Sequence, residues 1–536
     1  MANNNASARK PARSPLGRLF QRKSVEQIQS EYERGELKRT LGPINLVLLG
    51  IGCIIGAGIF VRTGNAAALH AGPAVMLSFV VAGLVCAFAG LCYAELASTL
   101  PVSGSAYTYS YTTLGEFAAW VMGSLLLLEY GLAASVVAVG WSGYVTSLLA
   151  DFNLYIPPEF TGPSGHFLGA IVNGEFVRAA DLAGGVAPAG AQSVVGVFNA
   201  PAFAIVLLLS ALLAVGVSES ATVNNYIVAV KVTVIVAFIV VGGYMILQNV
   251  SAYTPNWDPF LPPPTGERGE FGYDGVMRAA SIVFFAYIGF EAVSTAGQEA
   301  KNPKRDMPIG ILGSLVICTV LYMLVAAVLT LLVNYTTLNV PDPVAVAVDS
   351  FGPEWKWFAM TIKVGAITGL TSVILVLMYG QTRIFYTMAR DGLLPGLFAT
   401  VHRSLKTPWI NTLVVGVVVA AAAAFFDINT LGDLTSVGTL AAFAIVCLTV
   451  MWLRRSQPNL ERGFRVPFGP VIPVLGILSC LYLITTVETR VLQFFGYFLA
   501  GAVVVYFLYG VWNSKLGRGV IVTGHEPPPM DLPHKE

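Results

Sequence analysis

Apolar residues run along this chain in blocks of about twenty, each closed by a polar stretch, and twelve such blocks can be marked. Their approximate limits are 42–64, 73–98, 115–149, 199–217, 222–247, 274–298, 308–333, 356–388, 409–426, 434–453, 469–487 and 493–513. A helix needs roughly 20 apolar residues to cross the hydrocarbon core of a bilayer, give or take tilt, and every block meets that length. The third and eighth are long enough to run past the hydrocarbon. The first block is interrupted: Ile51-Gly52-Cys53-Ile54-Ile55-Gly56-Ala57-Gly58-Ile59-Phe60 carries three glycines within seven residues, and glycine propagates a helix poorly. A helix broken inside a membrane leaves N–H and C=O groups without partners, which is tolerated only where the backbone is buried in protein or lines a wet cavity. The start of the next half-helix then presents N–H groups and a positive dipole end, an arrangement suited to a carboxylate. Close helix packing through small residues is the plainer explanation of Gly56-x-Gly58 taken alone. A second interruption, Tyr287-Ile288-Gly289-Phe290-Glu291, favours the break, because paired broken spans in two halves of a chain point to a transporter's binding site.

Composition agrees with a polytopic membrane protein. Of 536 residues, 55% are hydrophobic and 11% charged, against about 25% charged in a soluble domain, and the mean hydropathy is +0.70. The formal net charge of +1 says little, but its distribution says more. With the N-terminus inside, 23 of the 31 lysines and arginines fall on the same side: the N-terminal tail, the loops after spans six, eight and ten, and the C-terminal tail. The positive-inside rule then puts both termini in the cytoplasm, in a cell (inner or plasma) membrane. No cleavable signal peptide is expected before the first span. The six cysteines all lie in apolar spans without metal or disulfide spacing, so they read as small buried residues.

Two loops on the other side are sizeable. Residues 150–198 are rich in Gly, Ala and Pro, and 248–273 contain Pro262-Pro263-Pro264 and should be extended and irregular. The tails, about 1–35 and 518–536, look disordered. Spans one and six are both broken by glycine, begin on opposite sides, and are each followed after one further span by a long one, which indicates an inverted repeat.

The motifs along the blocks carry a resemblance. They include Gly50-Ile51-Gly52 through Gly58-Ile59-Phe60, and Tyr93-Ala94-Glu95-Leu96 followed by Pro101-x-Ser103-Gly104-Ser105-Ala106-Tyr107. Glu129-Tyr130 with Val139-Gly140-Trp141-Ser142-Gly143-Tyr144, and Asn224-Asn225 followed by Lys231, come next. The most diagnostic are Gly289-Phe290-Glu291-Ala292 through Glu299-Ala300-Lys301-Asn302-Pro303, and Gly380-Gln381-Thr382-Arg383 through Met388-Ala389-Arg390-Asp391-Gly392. In this joint order the chain resembles permeases of the amino acid–polyamine–organocation superfamily, and more closely bacterial members of the cationic amino acid transporter family. Glu291 departs from the aspartate of many relatives. The resemblance implies an all-α fold of twelve transmembrane helices: a five-plus-five inverted repeat with broken first and sixth helices, plus two extra helices. The repeats would be 42–247 and 274–453, with 469–513 added and 1–41 and 514–536 as cytoplasmic tails. It also implies a site. The substrate carboxylate would meet N–H groups at Ala57 and Gly58, and its ammonium the carbonyls near Ile54, Ile55, Phe285 and Ile288. Leu370, after Gly369 of span eight, would border the side-chain end and favour small neutral amino acids.

Charges inside the spans need weighing. A lysine at the bilayer centre costs roughly 2.5–3.5 kcal/mol on insertion scales. Lys231 lies about ten residues into its span, too deep to reach an interface comfortably. A structural salt bridge is the bland alternative, and the resemblance implies that this lysine stands where sodium-coupled relatives hold a sodium ion. Glu129, also in mid-span, is either a hydrogen-bonded structural acid or a proton-relay carboxylate, the latter supported by the resemblance. Lys363 sits near a span end and should snorkel. Glu95 should be a structural hydrogen-bonding group. Thr368, Thr371 and Ser372 share one helix face, though such hydroxyls often bond back to their own turn.

These residues point to proton-coupled amino acid import by alternating access, without cofactor, metal or nucleic-acid partner. An exchanger of amino acids or polyamines, or a transporter-like nutrient sensor, remains the alternative. An enzyme is disfavoured because His70, His166, His402, His525 and His534 lie outside the spans or near their ends. A channel would show a filter or rings of side chains rather than paired broken helices.

Overall fold

A computed structural model of the chain describes residues 15–24, 39–100, 105–179, 182, 186–216 and 221–519. All twelve apolar blocks are helical. Among the described residues eight stretches are long and apolar enough to cross a membrane, the first of them, Gly58–Thr99, joining the second half of span one to span two. Pro43–Ile54, the first half of span one, is one of four shorter apolar helices; Ala200–Val215, Trp409–Phe425 and Val471–Thr485 are spans four, nine and eleven. The chain is a helical polytopic membrane protein. Spans three (Glu116–Ala150) and eight (Lys356–Arg390) are each 35 residues long. At about 1.5 Å per residue they reach roughly 50 Å and overrun a core about 30 Å thick.

Enclosure grades from centre to rim. The most apolar stretch of span six (Gly272–Ala296) is 89% buried, and that of span twelve (Thr489–Asn513) only 11%. On span seven (Pro303–Leu332) the exposed Val316, Val320 and Leu324 recur every fourth residue, one helix face turned towards acyl chains. Its other face is tied inward. Tyr322 donates from its hydroxyl to the Ile54 carbonyl of span one (2.9 Å), while Tyr287 of span six donates to the Phe79 carbonyl of span two (2.8 Å). The rings of Phe79, Tyr287 and Tyr322 pack together with centroids 5.5 to 6.3 Å apart.

The two breaks lie against each other. Span one stops at Ile54, leaves helical geometry at Ile55 (ψ 102°), and restarts as a wide turn over Gly58–Arg62. Span six narrows to a 3₁₀ turn at Phe284–Tyr287, breaks at Ile288 and Gly289, and continues as 3₁₀ over Phe290–Ala296. A Cβ on Gly58 would sit 2.0 Å from the Ala286 Cα, and one on Gly289 2.7 Å from the Cys53 carbonyl carbon. Gly289 also has φ +118°, which side chains avoid. The glycines are thus what allows two backbones to cross in contact.

Three features differ from expectation. The Gly/Pro-rich loop carries a three-stranded antiparallel sheet: β1 (Phe167–Val172) pairs with β2 (Glu175–Arg178) on one side and β3 (Gln192–Val195) on the other. Its hairpin turn is Asn173-Gly174, both at positive φ (53° and 87°), the backbone that matches the twist of two joined strands. The 248–273 loop is not wholly extended, since Val250–Tyr253 and Thr254–Trp257 form helical turns. Within the N-terminal tail, Pro15–Arg18 is a helical turn packed on the protein. Arg18 donates to the Val511 carbonyl at 2.8 Å, and Lys23 pairs with Asp391 at 2.7 Å. Most of both tails, like Pro101, Ser103 and Gly104 of the quoted motif, lies outside the described residues.

Gly289→Ala should therefore lower stability by about 2–4 kcal/mol, combining left-handed strain with overpacking. Gly496→Ala, with nothing within 4 Å of the new Cβ, should be neutral or mildly stabilising. Thermal unfolding of both variants in detergent tests the contrast.

Candidate substrate site

A small cavity of about 10 Å³ lies between the two breaks. Span one supplies Cys53, Ile54, Gly56, Ala57 and Gly58, and span six supplies Phe285 and Ile288. Ala133 and Val137 of span three and Val373 and Leu377 of span eight close the far side. That is room for about one water molecule, so a ligand must widen the space to enter. One end is backbone. The first N–H groups of any helix lack acceptors within it, and here the helix restarts at Gly58. The nearby carbonyls are partly engaged: Ile54 accepts from Tyr322, and Phe285 accepts from the Ile288 N–H at 3.3 Å. The other end is aliphatic, and no lining side chain is charged.

Of the expected residues, Ile54, Ala57, Gly58, Phe285 and Ile288 come together around this cavity. Ile55 is fully buried, with its N–H on the Ile51 carbonyl (2.9 Å), and is not part of the lining. Leu370 is a correction: it is buried, but span eight meets the cavity one and two turns further on, through Val373 and Leu377. Thr368, Thr371 and Ser372 do not reach it either. Each donates to a carbonyl of its own helix (Val364, Ile367 and Gly369), and Thr371 also accepts from the Trp141 indole at 2.9 Å.

Lys231 is buried, and its ammonium donates to the Gly52 carbonyl at 2.9 Å, one turn before the break of span one. Its stem passes under Gly369, where a Cβ would lie 3.1 Å from the lysine Cγ. Glu129 projects from a widened turn, Leu127–Leu132, that interrupts span three. It is fully buried. Its carboxyl faces that of Glu291, yet neither of its oxygens meets hydrogen-bonding geometry with any described residue. Glu291 is better held, accepting from the Gly289 N–H at 2.9 Å and the Tyr130 hydroxyl at 3.2 Å. The second break and the carboxyl pair are therefore one structural unit, a link that chain separation hides from the sequence.

The remaining charges divide as follows. Glu95 accepts from Arg454 (2.9 Å to Nε) and from the Val466 N–H (2.7 Å), a structural clamp as expected. Lys363 does not snorkel into water. It is buried between Asp151 (2.8 Å) and Asp349 (2.9 Å).

A family model described as "Amino acid permease" matches residues 41–510. A methylthioribose transporter of Bacillus subtilis (strain 168) is 45% identical over 94% of this chain and 100% of its own length. The branched-chain amino acid permease BcaP of the same organism is 42% identical over the same shares. A vacuolar cationic amino acid transporter 4 of Arabidopsis thaliana is 36% identical over 83% of this chain and 68% of its own.

Ala57→Leu should fill the cavity and abolish amino acid binding, measured by calorimetry on purified protein, without loss of the folded state. Wild-type affinity in that variant contradicts the site. Val373→Ala should enlarge the aliphatic end and shift the preferred substrate to a longer side chain in a competition panel.

Proposed function

The chain belongs to the amino acid permease family, and on that premise we propose that it is a proton-coupled importer of amino acids with small to medium apolar side chains. The observation that carries the reading is the cavity itself, with backbone N–H groups at one end and only aliphatic and aromatic side chains at the other. A zwitterion needs donors for its carboxylate and carbonyls for its ammonium, and two broken helices supply both. A cationic side chain would need a carboxylate or several oxygens, because an unpaired charge in such a wall is prohibitively costly. No lining side chain offers one. The same argument weighs against a ribose-bearing ligand of the kind named for one relative, whose hydroxyls would face aliphatic side chains.

In this reading the protein sits in the cell membrane with both termini in the cytoplasm, supported by the 23 of 31 basic residues on that side. Alternating access would come from 42–247 moving against 274–453 about the crossed breaks. Two groups are the candidates for carrying the proton. Lys231 lies on the carbonyl of Gly52, so a change in its charge reaches the substrate's half-helix directly. Glu129 and Glu291 face each other beside the second break, a carboxyl pair that could pass a proton between its members. Catalysis of a covalent step plays no part.

The test is uptake into proteoliposomes under an imposed pH gradient. Labelled alanine, valine and leucine should accumulate when the outside is acid, and arginine should compete poorly. Strong arginine uptake with no response to alanine in direct competition contradicts the substrate class. Lys231→Met keeps the length and removes the charge; concentrative uptake should disappear while binding persists. Uptake that still follows the gradient moves the coupling to the Glu129–Glu291 pair.

A further inference from the structure

Two of the quoted motifs have no part in the reading so far: the one that opens with Tyr93, near the inner end of span two, and the one that closes with Ser105-Ala106-Tyr107. Ser105 starts a short helix, Ser105–Thr113, that follows span two (Val75–Thr99) at its inner end. Tyr93 and Tyr109 are fully buried, and neither hydroxyl has a hydrogen-bond partner among the described residues. A buried tyrosine hydroxyl ordinarily has one. The two oxygens of Glu129 are in the same condition. These groups are neighbours, since the Tyr93 hydroxyl lies within electrostatic reach of Glu129, Glu291 and Tyr109. The edge-on rings of Phe290 and Phe443, with centroids 5.8 and 5.6 Å away, hold Tyr93 in place. The other titratable side chains nearby are Tyr130, already bonded to Glu291, and the thiols of Cys53, Cys86 and Cys447. Thiols hydrogen-bond weakly.

Span six continues the line inward. Its inner half is 3₁₀ over the seven residues Phe290–Ala296, and such runs rarely exceed three or four. A 3₁₀ helix has three residues per turn and rises about 2.0 Å per residue, so side chains i and i+3 fall in line. Ser294 therefore lies under Glu291, roughly 6 Å nearer the inner face. An α-helix would swing it about 60° aside. The hydroxyls of Ser294 and Ser105 share a hydrogen bond of 2.8 Å in which either can donate, and the Tyr109 hydroxyl faces Ser294. Ser294 is fully buried, whereas Ser105 keeps 7% of its surface exposed.

We propose that Tyr93, Tyr109, Ser294 and Ser105 form a file of hydroxyls, bridged by water, that carries a proton from the Glu129–Glu291 pair to the inner face. The proposal rests on the proton-coupled reading above, with the carboxyl pair rather than Lys231 as the carrier. Hydroxyls suit the task because each both donates and accepts. Unpaired buried polar atoms are also what holds an internal water, which takes two to four such partners. One proton leaves a carboxyl of the pair. Each hydroxyl or water takes a proton on one side as it releases its own on the other, and one proton emerges in the inner solution. No hydroxyl keeps a charge, and the pair is left one proton short.

The experiment uses full-length protein in proteoliposomes with a pH-sensitive dye inside and alanine outside. The wild type should acidify the lumen as alanine enters. Tyr109→Phe and Ser294→Ala should each slow acidification and net uptake at least fivefold. Exchange of labelled for unlabelled alanine at equal pH moves the loaded carrier without releasing its proton, so it should stay within twofold of wild type. Ser294→Thr keeps the hydroxyl and should restore net uptake. Wild-type acidification in Ser294→Ala overturns the file, whether or not Tyr109→Phe folds. Net uptake and exchange that fall together also overturn it, because a structural defect slows both. A wild type that takes up alanine without acidifying the lumen contradicts proton coupling itself and removes the file with it.

Discussion

Two backbones touch where span one crosses span six, and much of the rest of the molecule is arranged around that contact. Gly58 meets Ala286 and Gly289 meets Cys53 at distances that leave no room for a Cβ. Both helices give up their regular hydrogen bonding where they cross. The bilayer then requires that the freed groups find partners or a polar ligand. Tyr322 takes one carbonyl, Lys231 takes another just before the break, and the Gly289 N–H goes to Glu291. What remains open is the restart of span one at Gly58, which faces the cavity. The proposed substrate site is thus the open remainder of a packing problem, bounded by aliphatic side chains from spans three and eight.

The same constraint orders the charges. Lys231 and Glu291 are each bonded to the backbone of a break. A change in their state therefore acts on the geometry of the half-helices and not on a remote staple. Glu95–Arg454 and Lys363 with its two aspartates are different, since they tie span ends to loops away from the crossing. A layer of Arg62, Arg278 and Asp433 falls between these types. It is buried like the first and carries full ion pairs like the second, at the level where the two broken spans meet span ten.

How much of this could be read from the sequence depended on whether the signal was local. Gly52, Gly56 and Gly58 within seven residues marked the first break, and Gly289 beside Glu291 marked the second. The depth of Lys231 in an apolar run marked it as unusual without any partner in view. Partners far along the chain left no such mark. Asp433 lies 371 residues after Arg62, so Arg62 read only as one of several scattered basic residues. Leu370 shares a helix face with Val373 and Leu377, but the cavity lies one and two turns further along span eight, at a depth that Gly369 alone does not mark. The Asn173-Gly174 hairpin was legible in principle, since Asn-Gly between apolar stretches is a strong turn signal; the loop's glycine and proline content obscured it.

The account's central claim is that the ligand's carboxylate lies on the N–H groups where span one restarts. A structure determined with bound leucine or alanine tests it most directly. The account predicts carboxylate oxygens within about 3 Å of the Ala57 and Gly58 nitrogens, with the side chain directed at Val137, Val373 and Leu377. Ligand density elsewhere, or a carboxylate paired with the Lys231 ammonium while the half-helix start stays empty, would contradict it.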